Sequence, residues 1–380
     1  MPKAVIVTIA VAAAAILGCG DSTGPQLPAF AAVSAGSAHT CGVTSAGAAY
    51  CWGSNVHGQL GDSSTANDSS PVLVKGGLHF AAVSAGGSHT CGVTTAGAAY
   101  CWGYNYNGQL GTGDTIQHST PVAVSGGHVF AAVSATAFHT CGVTTGGAAY
   151  CWGDNGIGQL GDSTTTSRLS PTLVVRGLTF AAVSAAGNEF SCGLTSGHAA
   201  YCWGNNFYGQ LGDSTTASDS SPVQVIGGLS FASLSGGGDG GHVCAVTALG
   251  AAYCWGDNGS GQLGVGDSTN RLHPVLVTGG LTFGAVSAGN SNDFTCAVTI
   301  GGVAYCWGYN GSGELGIGST AKSLSPAAVS GGLTFTAVSA GGEHACALTA
   351  AGVAYCWGDN SAGQLGNGST AGSPVPVRVR

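Results

Sequence analysis

The sequence predicts an all-β chain, a seven-bladed β-propeller of four-stranded antiparallel blades. Three observations predict it. All seven tryptophans fall in Cys-Trp-Gly, at Trp52, Trp102, Trp152, Trp203, Trp255, Trp307 and Trp357. Their spacings are 50, 50, 51, 52, 52 and 50 residues. Each unit holds four short apolar runs between glycine-rich turns, and none of these runs has a helical period. Four strands per unit and a period near 50 belong to a propeller.

The first unit runs from Phe30 to His79, and six more copies follow through Arg380. Its apolar runs are Ala31–Ala35, His39–Thr44, Ala48–Gly53 and Pro71–Lys75. The first is built of Ala, Val and Ser. Small residues suit the innermost strand, where blades converge. The second and third form a hairpin around Ser45-Ala46-Gly47, with the glycine free to take φ > 0. If Thr44 faces Ala48, Cys41 faces Cys51. Facing positions bring Cα atoms to about 4.5–5.5 Å, near disulfide range. The same step recurs in every unit: Cys91 with Cys101, Cys141 with Cys151, Cys192 with Cys202, Cys244 with Cys254, Cys296 with Cys306 and Cys346 with Cys356. Of 15 cysteines, only Cys19 is left over. The Cys-x-x-Cys spacing of a zinc site is absent. In this register Gly42 faces Tyr50, and the small slot is expected to lie under the Tyr ring.

Trp52-Gly53, Asn55 and Gly58-Gln59-Leu60-Gly61, preceded by His39 and Val43, resemble the regulator of chromosome condensation repeat. The pattern returns in all seven units, with Glu314 once in place of Gln. The resemblance spans residues 30–380 and implies a seven-bladed propeller. Members often close the ring by pairing strands from both chain ends. The family's eukaryotic founder is a guanine-nucleotide exchange factor that works through a protruding insertion, for which units of this length leave no room. Other secreted bacterial proteins resembling this fold inhibit β-lactamases.

The chain starts Met1-Pro2-Lys3, and Ala4 to Gly18 is almost wholly apolar. That stretch reads as a signal peptide over residues 1–18, too short to span a membrane. Ile16-Leu17-Gly18-Cys19 resembles a bacterial lipobox, with Leu17 where a small residue is usual. Cys19 is then the lipid anchor, residues 19–29 a tether, and membrane contact runs through the anchor alone. The expected place is the cell envelope, extracytoplasmic, where disulfides persist. Only 6% of residues are charged, and the formal charge is −8. The basic residues form no stripe, so nucleic acid is not an expected partner.

Candidate chemistry is sparse. His39, His89, His139, His242 and His344 share one slot, which holds Phe190 and Phe294 in the fourth and sixth units. On separate blades they are too dispersed for one metal, and each is expected to bond nearby turn backbone. Gly156–Gly161, Gly259–Gly264 and Gly311–Gly316 fit G-x-G-x-x-G, but a strand follows where a dinucleotide site needs a helix. Gly20–Gly24 fits G-x-S-x-G within the tether, with no strand before it. Asp62, Asp114, Asp162 and Asp213 recur once per blade and read as turn residues. The unrepeated Glu189, Asp239, Asp293, Glu343, Arg168 and Arg271 assemble no acid–base pair. No catalytic residue, cofactor or metal is expected.

What remains is surface. The turn between strands one and two lies at the same end as the loop between three and four, and there the copies differ most. Variable loops on a rigid scaffold carry recognition. The slots between Trp-Gly and Gly-Gln-Leu-Gly hold Tyr104, Tyr106, Ile157, Phe207 and Tyr208 in blades 2 to 4, with Phe138 in an adjacent turn. Sister copies are small or polar there, so these six residues are the expected binding patch. The expectation is a monomeric, non-catalytic binding protein with a protein or glycan partner. An enzyme inhibitor like the β-lactamase-inhibiting propellers, or a carbohydrate-acting enzyme, is the alternative. Cys19→Ser releases the protein from the membrane fraction and abolishes palmitate labelling; unlabelled wild type would refute the anchor.

Overall fold

The computed structural model describes residues 29–380 except 188, 239, 240, 291 and 292. The proposed signal peptide, Cys19, almost all of the tether and Asp239 lie outside the described residues. Seven sheets of four antiparallel strands follow one another, each built from consecutive strands. In blade 1 these are β1 (Phe30–Ala35), β2 (His39–Thr44), β3 (Ala49–Gly53) and β4 (Asp68–Leu73). The blades comprise residues 30–79, 80–129, 130–179, 180–230, 231–282, 283–334 and 335–380. The fourth strand starts three residues before the apolar run that marks it in the sequence. Asp68 pairs with Gly53 across a bulge, and an outer edge strand tolerates such polar residues because one side meets water.

The strands run up and down, so each blade has a loop end and a turn end. The loop end carries the 1–2 turn and the 3–4 loop, joined where Ser54 N–H donates to the Ala38 carbonyl (2.8 Å). The turn end carries the 2–3 turn and the connection to the next blade, joined where Phe80 N–H donates to the Gly47 carbonyl (2.8 Å).

The hairpin register is the expected one, with Cys41 opposite Cys51. Thr44 N–H bonds the Ala48 carbonyl, so alternate pairs inward are hydrogen-bonded and the cysteine pair falls on a narrow, non-bonded rung. Cys41 and Cys51 form a disulfide with a Cα separation of 4.0 Å. The other six expected pairs are bridged too: Cys91 to Cys101, Cys141 to Cys151, Cys192 to Cys202, Cys244 to Cys254, Cys296 to Cys306 and Cys346 to Cys356. Their Cα separations are 4.0–4.2 Å. Every pair takes the narrow rung, whose ordinary spacing of about 4.5 Å is the lower end of the expected range, and the bridged pairs lie closer still. Gly42 does face Tyr50, but another ring explains its size. A Cβ on Gly42 would sit 2.6 Å from Phe30 Cδ1, so the β1 phenylalanine fills that space. It meets Tyr50 edge-on at 6.2 Å.

The core lies between blades. Seven apolar clusters form, and a typical one joins Cys41, Val43, Leu60 and Val74 of blade 1 to Phe80 and Trp102 of blade 2. Polar bonds stitch the same joint. Trp102 Nε1–H donates to the Gln59 carbonyl (2.9 Å), and Ala85 N–H donates to Ser34 Oγ (3.0 Å). Both bonds recur at every joint. Gly61, at φ 70°, lets the loop close on the next tryptophan, where a Cβ would sit 2.7 Å from Trp102 Nε1. The ring closes by the same means, not by exchanged strands. Trp52 donates to the Gln364 carbonyl (2.9 Å) and Ala35 N–H to Ser339 Oγ (2.9 Å).

The histidine slot belongs to this joint, which corrects its assignment to turn backbone. Thr90 Oγ1 donates to the Gln59 carbonyl (2.8 Å), leaving its oxygen to accept from His39 Nε2–H (2.9 Å). His89, His139, His242 and His344 bond Thr140, Ser191, Thr295 and Thr40 in the same way. Where Phe replaces His, the facing hydroxyl is also gone. Phe190 clusters with Val243, and Phe294 with Ala345. Each joint is therefore matched, polar to polar or apolar to apolar.

Burial pushes His39, His89, His139 and His242 down to about 3 and His344 to about 4. The unfolded chain takes up protons near pH 6.5, where the folded one does not. Stability from these groups is thus complete above pH 6.5 and falls as pH drops toward 3, by about 1.4 kcal/mol per unit for each histidine. Thermal melts from pH 7 to pH 4 reveal this slope. The pair His39→Phe with Thr90→Val, which copies the joint of blades 4 and 5, reduces it by about a fifth. The bridges give a separate prediction. Peptide mapping of oxidised protein finds seven bridges, each within one hairpin. Replacing Cys91 and Cys101 by Ala removes about 2.8 kcal/mol by the chain-entropy relation, read from the denaturation midpoint.

Candidate binding surface

The 3–4 loops are rigid because the repeated residues hold them from inside. Asn55 Oδ1 accepts from Leu60 N–H (2.9 Å), and Gln59 Oε1 accepts from His57 N–H (2.9 Å). The same two bonds fix the loops of blade 2 through Asn105 and Gln109, and of blade 4 through Asn206 and Gln210. These Asn and Gln side chains are buried. Three slots carry the displayed residues, the one before each Asn and the two after it. Blade 6 shows what the motif needs, since Glu314 serves as the acceptor for Ser312 N–H (2.8 Å). In blades 3, 5 and 7 the Gln amide also donates to an Asp in the first displayed slot, as Gln159 does to Asp154 (2.6 Å). Blades 2 and 6 have Tyr104 and Tyr309 there instead. Gln109 Nε2 is then buried without a partner, and blade 6 dispenses with the amide.

The expected patch residues sit at the loop end. Tyr106 and Phe207 are each 69% exposed, Tyr208 and Phe138 are exposed, and Tyr104 and Ile157 are half-buried. Tyr104 packs on Tyr106 (centroids 4.9 Å) and on His57 of blade 1 (4.8 Å). Among the described residues Phe138, Phe207 and Tyr208 make no ring contact. The structure thus brings together one aromatic group over blades 1 and 2 and leaves the others as separate projections. Phe138 is tied in through its carbonyl, which accepts from Asp154 N–H (2.9 Å).

Sequence reasoning missed three contributors. Val56 and His57 occupy the slots of Tyr106 and Asn107 and extend the group into blade 1, with Val56 exposed. Tyr309, also exposed, is the blade 6 counterpart of Tyr104. Slot-by-slot alignment of the copies would have found all three. The extra residues behind the 51- and 52-residue spacings fall in the 1–2 turns of blades 4 to 6, so the loop end has an aromatic sector and a sector of longer turns.

Seven of the remaining polar candidates have structural partners. Asp62, Asp114, Asp162 and Asp213 each accept a backbone N–H two residues on, as turn residues do. Arg168 pairs with Asp162 (2.7 Å), Arg271 with Asp267 (2.6 Å), and the Glu189 carboxylate accepts from Asn205 Nδ2. Two shallow grooves, of about 500 and 360 Å³, lie at the turn end between neighbouring blades. Neither is lined by a carboxylate, and His79 is their single titratable residue.

A ring of rigid blades, displaying divergent side chains from uniform loops, defines a recognition scaffold. The family model described as the RCC1-like domain matches residues 19–294, and models of the regulator of chromosome condensation (RCC1) repeat match 301–348, 335–364 and 351–380. The chain belongs to this family. It is similar to the probable E3 ubiquitin-protein ligase HERC4 of Homo sapiens, 33% identical over 37% of this chain and 13% of that protein. It is also similar to the ultraviolet-B receptor UVR8 of Arabidopsis thaliana, 33% identical over 42% of this chain and 37% of the receptor. These matches cover well under two thirds of either relative. Human WBSCR16 shares the fold with a TM-score of 0.79 at 22% identity, over 88% of this chain and 94% of that one. Yeast RCC1 (Prp20) gives 0.75 at 19% identity, over 98% and 91%.

Proposed function

We propose that the chain is an extracytoplasmic, non-catalytic binding protein, held by Cys19, that recognises a protein or glycan with the loop end of blades 1 to 4. A binding role fits the family. Yeast RCC1 has been crystallised with Kap60, and Prp20p has binding properties toward Gsp1p and histones. The observation that carries the proposal is the uneven loading of equivalent slots. Of the eight second and third slots in blades 1 to 4, six hold Val56, His57, Tyr106, Ile157, Phe207 and Tyr208 and two hold Asn107 and Gly156, whereas those of blades 5 to 7 hold only Gly, Ser or Ala. Two of these side chains are 69% exposed on loops that need no help from them to fold. Seven disulfides support an oxidising compartment.

Carboxylates crowd this end, so the fitting partner offers hydrogen-bond donors or cations beside apolar groups. Pull-down from envelope extract with residues 20–380 tests the reading. Changing Tyr106, Phe207 and Tyr208 to Ala abolishes capture, each central anchor costing about 2 kcal/mol or more of binding. Stability changes by no more than about 0.5 kcal/mol per site. Undiminished capture, or a collapsed melting temperature, would place recognition elsewhere.

A further inference from the structure

Charge is sorted between the two ends of the ring. Every described Asp and Glu lies in a 1–2 turn, in a 3–4 loop or at the first residue of a fourth strand, all at the loop end. The loop end has three cations, and two of them, Arg168 and Arg271, are held by carboxylates. Among the described residues the turn end has no Asp or Glu side chain. It carries Lys75, Arg378 and Arg380, all exposed. Arg176, also exposed, instead donates to Ser221 Oγ of blade 4 (2.9 Å), whose hydroxyl donates to Asp219.

Two further features belong to the turn end. Leu249, 89% exposed, and Ile300, 73% exposed, project from the 2–3 turns of the adjacent blades 5 and 6. Neither has a packing duty, since the same turns elsewhere are made of Ala, Gly, Ser, Thr and His. The chain also enters the ring here. Phe30 N–H donates to the carbonyl of Gly352 (2.9 Å), in the 2–3 turn of blade 7. Whatever holds the chain ahead of Phe30 therefore holds this end.

We propose that the turn end is a membrane-facing surface that rests on anionic phospholipid headgroups. Lys75, Arg378 and Arg380, exposed and without Asp or Glu neighbours, attract a negative surface, and the bare aliphatic tips of Leu249 and Ile300 enter its interfacial layer. The acidic loop end is repelled by the same surface and faces away from it. This inference departs from the expectation that the anchor alone meets the membrane, since it adds a salt-sensitive contact to it, and it does not need acylation to be tested.

The test uses residues 20–380, which contain all seven closed blades and no Cys19 acyl group. The probes are vesicles of phosphatidylcholine alone and of phosphatidylcholine with phosphatidylglycerol, in co-sedimentation at low salt and at 0.5 M NaCl. Binding is expected to the anionic vesicles alone and to be lost at high salt. Lys75→Glu with Arg378→Glu and Arg380→Glu weakens it by about a hundredfold or more. Leu249→Ser with Ile300→Ser also weakens it, and the Tyr106, Phe207 and Tyr208 alanine variant binds like wild type. A matching melting temperature certifies each variant as folded. Equal binding to both vesicles, no binding to anionic ones, or loss in the aromatic variant would overturn the proposal. Failure of palmitate to label Cys19 would remove the anchor and leave this result standing.

Discussion

The ring depends on one acceptor, the main-chain carbonyl of the Gln in each Gly-Gln-Leu-Gly, or of Glu314 in blade 6. At Gln59 it receives the Trp102 indole and the Thr90 hydroxyl, both from the next blade. Such a buried carbonyl is costly to leave unpaired, and so are the two donors. The bonds form only when two blades sit at one spacing and one angle. Seven repetitions of that angle close a circle. The apolar clusters supply most of the driving force, but burial has no direction. The indole–carbonyl bond gives the joint its geometry.

The histidine network shows how such a joint tolerates variation. A neutral imidazole, a hydroxyl and a carbonyl form a chain in which each donor has one acceptor. Deleting one member would orphan the others, so the two apolar joints have changed both sides together: Phe190 with Val243, and Phe294 with Ala345. Blade 6 applies the same rule to its loop: where Tyr309 removes the Asp that a Gln amide would bond, Glu314 removes the amide. Blade 2 does not, and Tyr104 leaves the Gln109 amide buried without a partner among the described residues.

Most of the fold was legible because it is local or periodic. Tryptophan spacing set the blade count, and a ten-residue step around a glycine turn set the disulfides. What stayed hidden was contact between blades. His39 and Thr90 are 51 residues apart, and nothing within either unit links them. The signal was present as paired substitution across neighbouring units. Gly42 was hidden differently: its cross-strand partner was read correctly, but Phe30 on the adjacent strand takes the space. Of the site, the exposed residues were legible because sister copies served as an internal comparison. Their grouping was not, because ring contact across loops depends on blade geometry.

The disulfides all lie within hairpins, and this divides the molecule into two kinds of mechanical element. Each blade is a cross-linked plate. Each joint between plates is non-covalent apart from the connecting peptide, and between blades 7 and 1 no such peptide crosses. The oxidised protein is a split washer of stiff segments. Under load or partial denaturation it opens at that gap and hinges at the remaining joints, while every plate keeps its hairpin. A reductant acts on the opposite property, softening the plates and leaving the joints chemically intact.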